Sequence, residues 1–236
     1  MAERGIFRFK AFACRHYGSS MRIGVDAVLL GSWVDSRGSH ILDVGTGCGV
    51  IALMLAQRNP EAHITAVDIH RPSVDEAARN FADSPWHDRL EAREEDFSMM
   101  QPDCGYDLII SNPPYFNAGI RSPHTVRESA RHDGSLSPLS LISKGCGMLS
   151  PGGRIAMVVP YDRAQEIICA ASECGMSLIR RTDVKGNPSA RFKRSLLEFG
   201  NEVGHTPMTD SLVLEESPGV PTDEHRTLCR DFYLYY

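Results

Sequence analysis

The stretch "LDVGTGCGVIALMLA", residues 42–56, decides the architecture. Its first half is a short apolar run that ends in Gly45, Gly47 and Gly49, and its second half carries apolar residues at helical spacing toward Pro60. A strand that turns into a helix through glycines lets the backbone approach a ligand closely. The spacing is G-x-G-x-G, and Val50 stands where the dinucleotide fingerprint G-x-G-x-x-G needs its last glycine, so a nicotinamide reading weakens.

Outward from this turn, short apolar runs alternate with helical patterns. The strand candidates are "HILDVG" (40–45), "HITAVDI" (63–69), "RLEAREED" (89–96), "YDLIISN" (106–112) and "RIAMVVP" (154–160). Helices are predicted over 48–59, 71–84, about 138–149 and 161–175. This alternation is the signature of a parallel sheet covered on both faces. "MSLIRRTDVKG" and "RFKRSLLEFG", split by "NPSA", read as a closing antiparallel hairpin. The polar segment 117–136 exceeds an ordinary strand-to-helix loop and reads as a substrate-side loop.

The 236 residues predict one domain, and 42% apolar with 23% charged content fits a soluble globular chain. There is neither a secretory leader pattern nor an apolar run of about 18 residues, so the expected compartment is the cytoplasm and no membrane contact is expected. Seven scattered cysteines form no C-x-x-C pair and no histidine stands at ligand spacing, which predicts reduced thiols and no metal. The net charge is −5, yet residues 1–22 and 180–194 are locally basic and can meet phosphates.

Each strand end carries a candidate group. Asp68 lies about 20 residues beyond the glycine turn, where a carboxylate can accept both hydroxyl hydrogens of a ribose. At the end of the third run, Asp96 can accept from an exocyclic adenine amino group and Phe97 can cover the ring. The fourth run stops at Asn112-Pro113-Pro114-Tyr115, and two prolines cannot donate to a sheet, so the chain leaves stiffly here with an amide before and a phenol after.

Together these residues resemble the class I methyltransferases, which use S-adenosylmethionine. The resemblance implies a Rossmann-like α/β fold with a seven-stranded, mostly parallel sheet. It also implies residues 1–38 as a cofactor-covering and substrate-binding extension, 39–200 as catalytic core and 201–236 as a C-terminal extension. By resemblance Asp43, Gly45, Thr46, Gly47 and Gly49 form the methionine-side turn, with Asp43 beside the ammonium group. Asp68 and Ile69 form the ribose site, and Asp96 and Phe97 the adenine site. In this class the Asn-Pro-Pro-Tyr motif marks methylation of a planar amine nitrogen. The Asn112 side-chain oxygen and the Pro113 carbonyl can hold both amino hydrogens, Pro114 helps fix them, and Tyr115 can stack on an extruded ring.

The motif alone leaves adenine, guanine N2 and a protein glutamine open. "FRFKAFACRHYGSSMRIGVDAVLLGSW" (7–33) and "TDEHRTLCRDFYLYY" (222–236) resemble the bacterial tRNA1(Val) adenine-37 N6-methyltransferases. That resemblance implies a tRNA substrate, bound at its anticodon stem-loop, and no obligate protein partner. It also implies a cover formed by residues 20–33 with Asp26 as a cofactor contact. Arg8, Lys10, Arg191, Lys193 and Arg194 are candidates for tRNA phosphates, and Arg121, on the long loop, for closing over the RNA. The rival readings are methylation of a ribosomal RNA guanine or a release-factor glutamine, and a catalytically silent cofactor-binding RNA assembly factor.

Overall fold

Apolar runs punctuated by glycine and proline become strands buried on both faces, because helices lie above and below a parallel sheet. The computed structural model describes residues 5–19, 22–101, 104–114, 136–201 and 206–236. Ile6–Arg8 (β1) and Ala13–Arg15 (β2) pair as a short antiparallel hairpin, followed by helix α1, Val25–Trp33. His40–Val44 (β3), Val50–Arg58 (α2), His63–Asp68 (β4), Arg71–Ala82 (α3), Leu90–Glu94 (β5) and Tyr106–Ser111 (β6) then alternate as the sequence predicts. The remaining elements are Pro138–Gly145 (α4), Leu149–Pro160 (β7), Ala164–Glu173 (α5), Ser177–Lys185 (β8), Arg194–Gly200 (β9), Met208–Val213 (β10), the small strands Glu215–Ser217 (β11) and Val220–Pro221 (β12), and Asp223–Cys229 (α6).

The main sheet runs β10-β8-β9-β7-β6-β3-β4-β5, and β9 is antiparallel to both of its neighbours. Eight strands rather than seven make up this sheet. The extra one, β10, pairs in parallel with β8 at the edge, and of its residues only Leu212 is buried, so its apolar alternation is too faint to read. The predicted hairpin is present as β8 and β9. The helix predicted to 149 ends at Gly145, and a single 3-10 turn over Cys146–Met148 leads into β7.

Helix α2 is buried all along Val50–Ala56, since it packs between the sheet and α1. Its Leu53, Met54 and Leu55 are fully buried, each contributing about 1.5–3 kcal/mol of apolar transfer. Phe9, Phe12 and Trp33 also lie in this core, and the Trp33 indole donates to Thr182 Oγ1 at 2.7 Å. The N-terminal hairpin is locked to the C-terminal segment: the Lys10 amide donates to the Phe232 carbonyl at 2.9 Å, and Tyr233 lies against Phe7 and Phe9. All seven cysteines are free. Among the described residues no helix is long and apolar enough to cross a membrane, and no group of three metal-ligating side chains occurs.

Candidate active site

The carboxyl ends of β3, β4, β5 and β6 are adjacent in the sheet, which gathers the candidate residues on one edge. The glycine turn is held from beneath: the Gly45 and Thr46 amides donate to the Val67 carbonyl at 2.8 and 3.1 Å. Gly47 has a φ of 57°, and a Cβ there would meet nothing within 4 Å among the described residues, so its backbone faces open space. Gly49 is tight instead. Its φ is 81°, and a Cβ would stand 2.5 Å from the Phe81 ring, so this glycine lets α2 and α3 approach.

Asp68 braces two strand ends. Its Oδ2 accepts from the Gly47 amide at 3.0 Å and its Oδ1 from the His70 amide at 2.9 Å. Asp43 lies buried under the turn, with Oδ2 accepting from Thr46 Oγ1 at 2.6 Å and Oδ1 without a hydrogen-bond partner among the described residues. Burial pushes its carboxyl up to about 7, against the pull of the Thr46 hydroxyl and the Ala52 amide, and the Asp68 charge pushes the same way. A buried carboxylate oxygen left over in this way fits a cationic donor group such as an ammonium.

The end of β5 leads into the candidate adenine corner. Asp96 caps a turn, its Oδ1 accepting from the Ser98 amide at 2.8 Å, and this turn carries Phe97 inward. Phe97 is buried in the same apolar cluster as Val44 and Val67. Exposed apolar side chains here are Ile69, at 59%, and Met99 of the Asp96 turn, at 76%.

At the end of β6, the buried Ser111 hydroxyl donates to the Val44 carbonyl at 2.8 Å and ties the strand to β3. Asn112 follows at once, half-buried, then Pro113, buried, and Pro114, half-buried. Tyr115 and Arg121 lie outside the described residues, as does most of the 117–136 loop.

Two basic residues have structural employment that local sequence does not show. The Lys10 ammonium, exposed at the surface, donates to the main-chain oxygens of Arg230 and Tyr236, at 2.5 and 2.9 Å, and so helps close the fold. Arg194 forms an ion pair with Asp26, both side chains largely buried, so these two residues, expected to meet RNA and cofactor separately, meet each other. Arg8, Arg191 and Lys193 are exposed. Sequence reading missed Glu76, a buried carboxylate on α3 that accepts from the amides of Tyr17, Gly18 and Ser19 at 2.6–3.1 Å. The only signal was an acid on the apolar face of a helix, and it holds the segment Tyr17–Ser19 against α3.

Residues 19–168 match the methyltransferase small domain family. A tRNA1(Val) (adenine(37)-N6)-methyltransferase of Bacteroides thetaiotaomicron is 38% identical over 97% of each chain. The chain belongs to this methyltransferase family. A relative with the same name from Vibrio parahaemolyticus is 37% identical over 97% of this chain and 95% of its own. Among solved structures, a predicted O-methyltransferase from Agrobacterium tumefaciens shares the fold, with a TM-score of 0.64 at 20% identity, covering 88% of this chain and 96% of that one.

S-adenosylmethionine is the methyl donor of this methyltransferase. Asp43 then predicts a pH effect. Because burial raises its pKa from 3.8 to about 7, the unliganded protein is most stable with this group protonated and loses stability as pH rises through that window. If the donor's ammonium lies beside it, the ionised form is favoured, so donor binding should release a proton below pH 7 and affinity should rise with pH up to about that value. Calorimetry at pH 6 in two buffers of different ionisation enthalpy should read close to one proton released, and no release would remove Asp43 from the donor site.

Proposed function

We propose that this methyltransferase transfers a methyl group to N6 of an adenine in tRNA, namely adenine-37 beside the anticodon of tRNA1(Val). The observation that carries the reading is Asn112 at the end of β6, tied through Ser111 to the strand that bears the glycine turn and the unsatisfied Asp43 oxygen. The full-length relatives named above support the choice of nitrogen and RNA.

S-adenosylmethionine supplies an electrophilic methyl group on a positively charged sulfur, which becomes a neutral thioether when the carbon–sulfur bond breaks. Asp43 holds the donor's ammonium, the Gly45–Gly49 turn gives it backbone to lie against, Asp68 takes the ribose hydroxyls, Asp96 the adenine amino group, and Ile69 offers an apolar face. The Asn112 side-chain oxygen and the Pro113 carbonyl accept the two hydrogens of the substrate amine. Its lone pair is otherwise delocalised into the ring, and two fixed acceptors favour the more tetrahedral nitrogen that can form the new bond; the extra proton passes to water. Proline fixes φ at Pro113 and Pro114 and restricts the residue before each, so the acceptors are preorganised. Tyr115 stacks on the extruded base, as the family resemblance implies.

Residues 1–38 serve as cover and substrate extension, 39–200 as catalytic core and 201–236 as C-terminal extension of one domain. A tRNA substrate places the work in the cytoplasm. Arg8, Arg191 and Lys193 meet phosphates near the anticodon stem-loop, and Arg121 closes over it. If these three exposed cations supply the phosphate contacts, raising salt from 50 to 200 mM should weaken RNA binding about 20- to 40-fold in a filter-binding titration. A flat response would count against the basic faces.

The deciding experiment is nucleoside mass spectrometry of total tRNA incubated with the protein and methyl-labelled donor, with fragment mapping. Labelled N6-methyladenosine next to the valine anticodon is the expected result. Label in guanosine or in protein would give the reaction to one of the rival amines.

A further inference from the structure

We propose that Tyr161 and Phe192 form a stacking platform for an unpaired RNA base that flanks the methylated adenine, an inference that rests on the tRNA reading above. Tyr161 directly follows β7 and Phe192 stands just before β9. Pro160 and Arg194 are cross-strand partners, which brings the two rings together, with centroids 5.2 Å apart and planes inclined by 30°. A cation sits over each: the Arg181 guanidinium carbon is 5.5 Å from the centre of the Tyr161 ring, and Lys185 Nζ is 5.6 Å from that of Phe192.

Both cations are held in place. Arg181 donates to Asp183 at 2.8 Å and the Lys185 ammonium to the Pro188 carbonyl at 2.7 Å, so the cation-backed rings are set before any ligand arrives. Tyr161 is exposed, as are Arg191 and Lys193, which flank Phe192 on the β8–β9 connection. Planar rings for stacking with exposed cations alongside match a nucleobase and its flanking phosphates.

The platform also lies at the right edge. β6 and β7 are parallel neighbours with Ser111 opposite Met157, so Asn112 and Tyr161 leave the sheet on the same side. From strand rise and spacing their separation is on the order of 10 Å, within reach of a neighbouring nucleotide. A base splayed onto Tyr161 would fix the register in which the adenine reaches Asn112, and it would favour a loop over a paired stem, whose bases stay stacked.

The test measures binding and methylation of the tRNA1(Val) anticodon stem-loop, intact and with a single abasic site at each nucleotide flanking the adenine. For the wild-type enzyme, removing one of these bases should weaken binding about tenfold. Tyr161→Ala should lose about the same with the intact hairpin and nothing further with the abasic one, whereas Tyr161→Phe should bind as wild type. The loss should appear in KM for RNA, with kcat at saturation changed less than about twofold and donor affinity unmoved. Losses that simply add, or a Tyr161→Ala protein that binds both hairpins like wild type, would overturn the platform while wild-type methylation of the intact hairpin upholds the functional reading. A wild type that methylates no hairpin and no tRNA would overturn both.

Discussion

Asn112→Ala is expected to lower turnover about 10²–10³-fold, the usual cost of removing one preorganised polar partner of a transition state. The reasoning is local. Asn112 stands just beyond β6, whose last residue is anchored to the end of β3 by the Ser111 hydroxyl, so the loss of one side-chain amide leaves the strand end in place. The donor contacts assigned to Asp43, Asp68 and the glycine turn come from other strands, and donor affinity should stay within a few-fold. Single-turnover kinetics with saturating RNA, paired with calorimetry for the donor, separates the two quantities. If both collapse together, Asn112 is mainly a structural residue and the amine acceptor must be sought elsewhere.

The second large effect is on stability. Gly49→Ala should destabilise the protein by about 2–5 kcal/mol, from placing a Cβ at left-handed φ and from overpacking. The added methyl group would stand 2.5 Å from the Phe81 ring and 3.2 Å from the Ala77 Cβ, with α2 and α3 already in contact. For a chain of this size that is a fall in melting temperature of roughly 5–20 °C. Pairing it with Phe81→Leu should relieve the clash but not the strain in φ, so only part of the loss should return. A melting temperature unchanged by Gly49→Ala would show that the turn can move to a different backbone conformation.

How much of this was legible depends on where each determinant lies. β3, β4 and β6 could be read because strands buried on both faces need near-continuous apolar runs, and each ends in a residue that breaks the pattern. The place of Asp68 at the end of β4, beside the glycine turn, could be read because its distance from that turn is set by the length of one helix and two strand ends. The burial of Phe97 could not be read because its direction depends on how the Asp96 turn closes, which local polarity does not encode. Lys10 and Arg194 looked like free cations because their partners are 220 and 168 residues distant in sequence. β10 was overlooked because an exposed edge strand needs little apolar pattern.

The pairing of Phe7 and Phe9 with Tyr233, and of Lys10 with Arg230, sets an order of assembly. A ribosome releases residues in sequence, so β3 to β9 can assemble while those first aromatic rings still lack their cover. The hairpin gains its contacts to the C-terminal segment only when residues 230–236 emerge. The segment Tyr17–Ser19, held by Glu76, continues from that hairpin. The sheet edge that bears Asn112 is therefore built early in synthesis, and the N-terminal hairpin is among the last parts of the molecule to be fully packed.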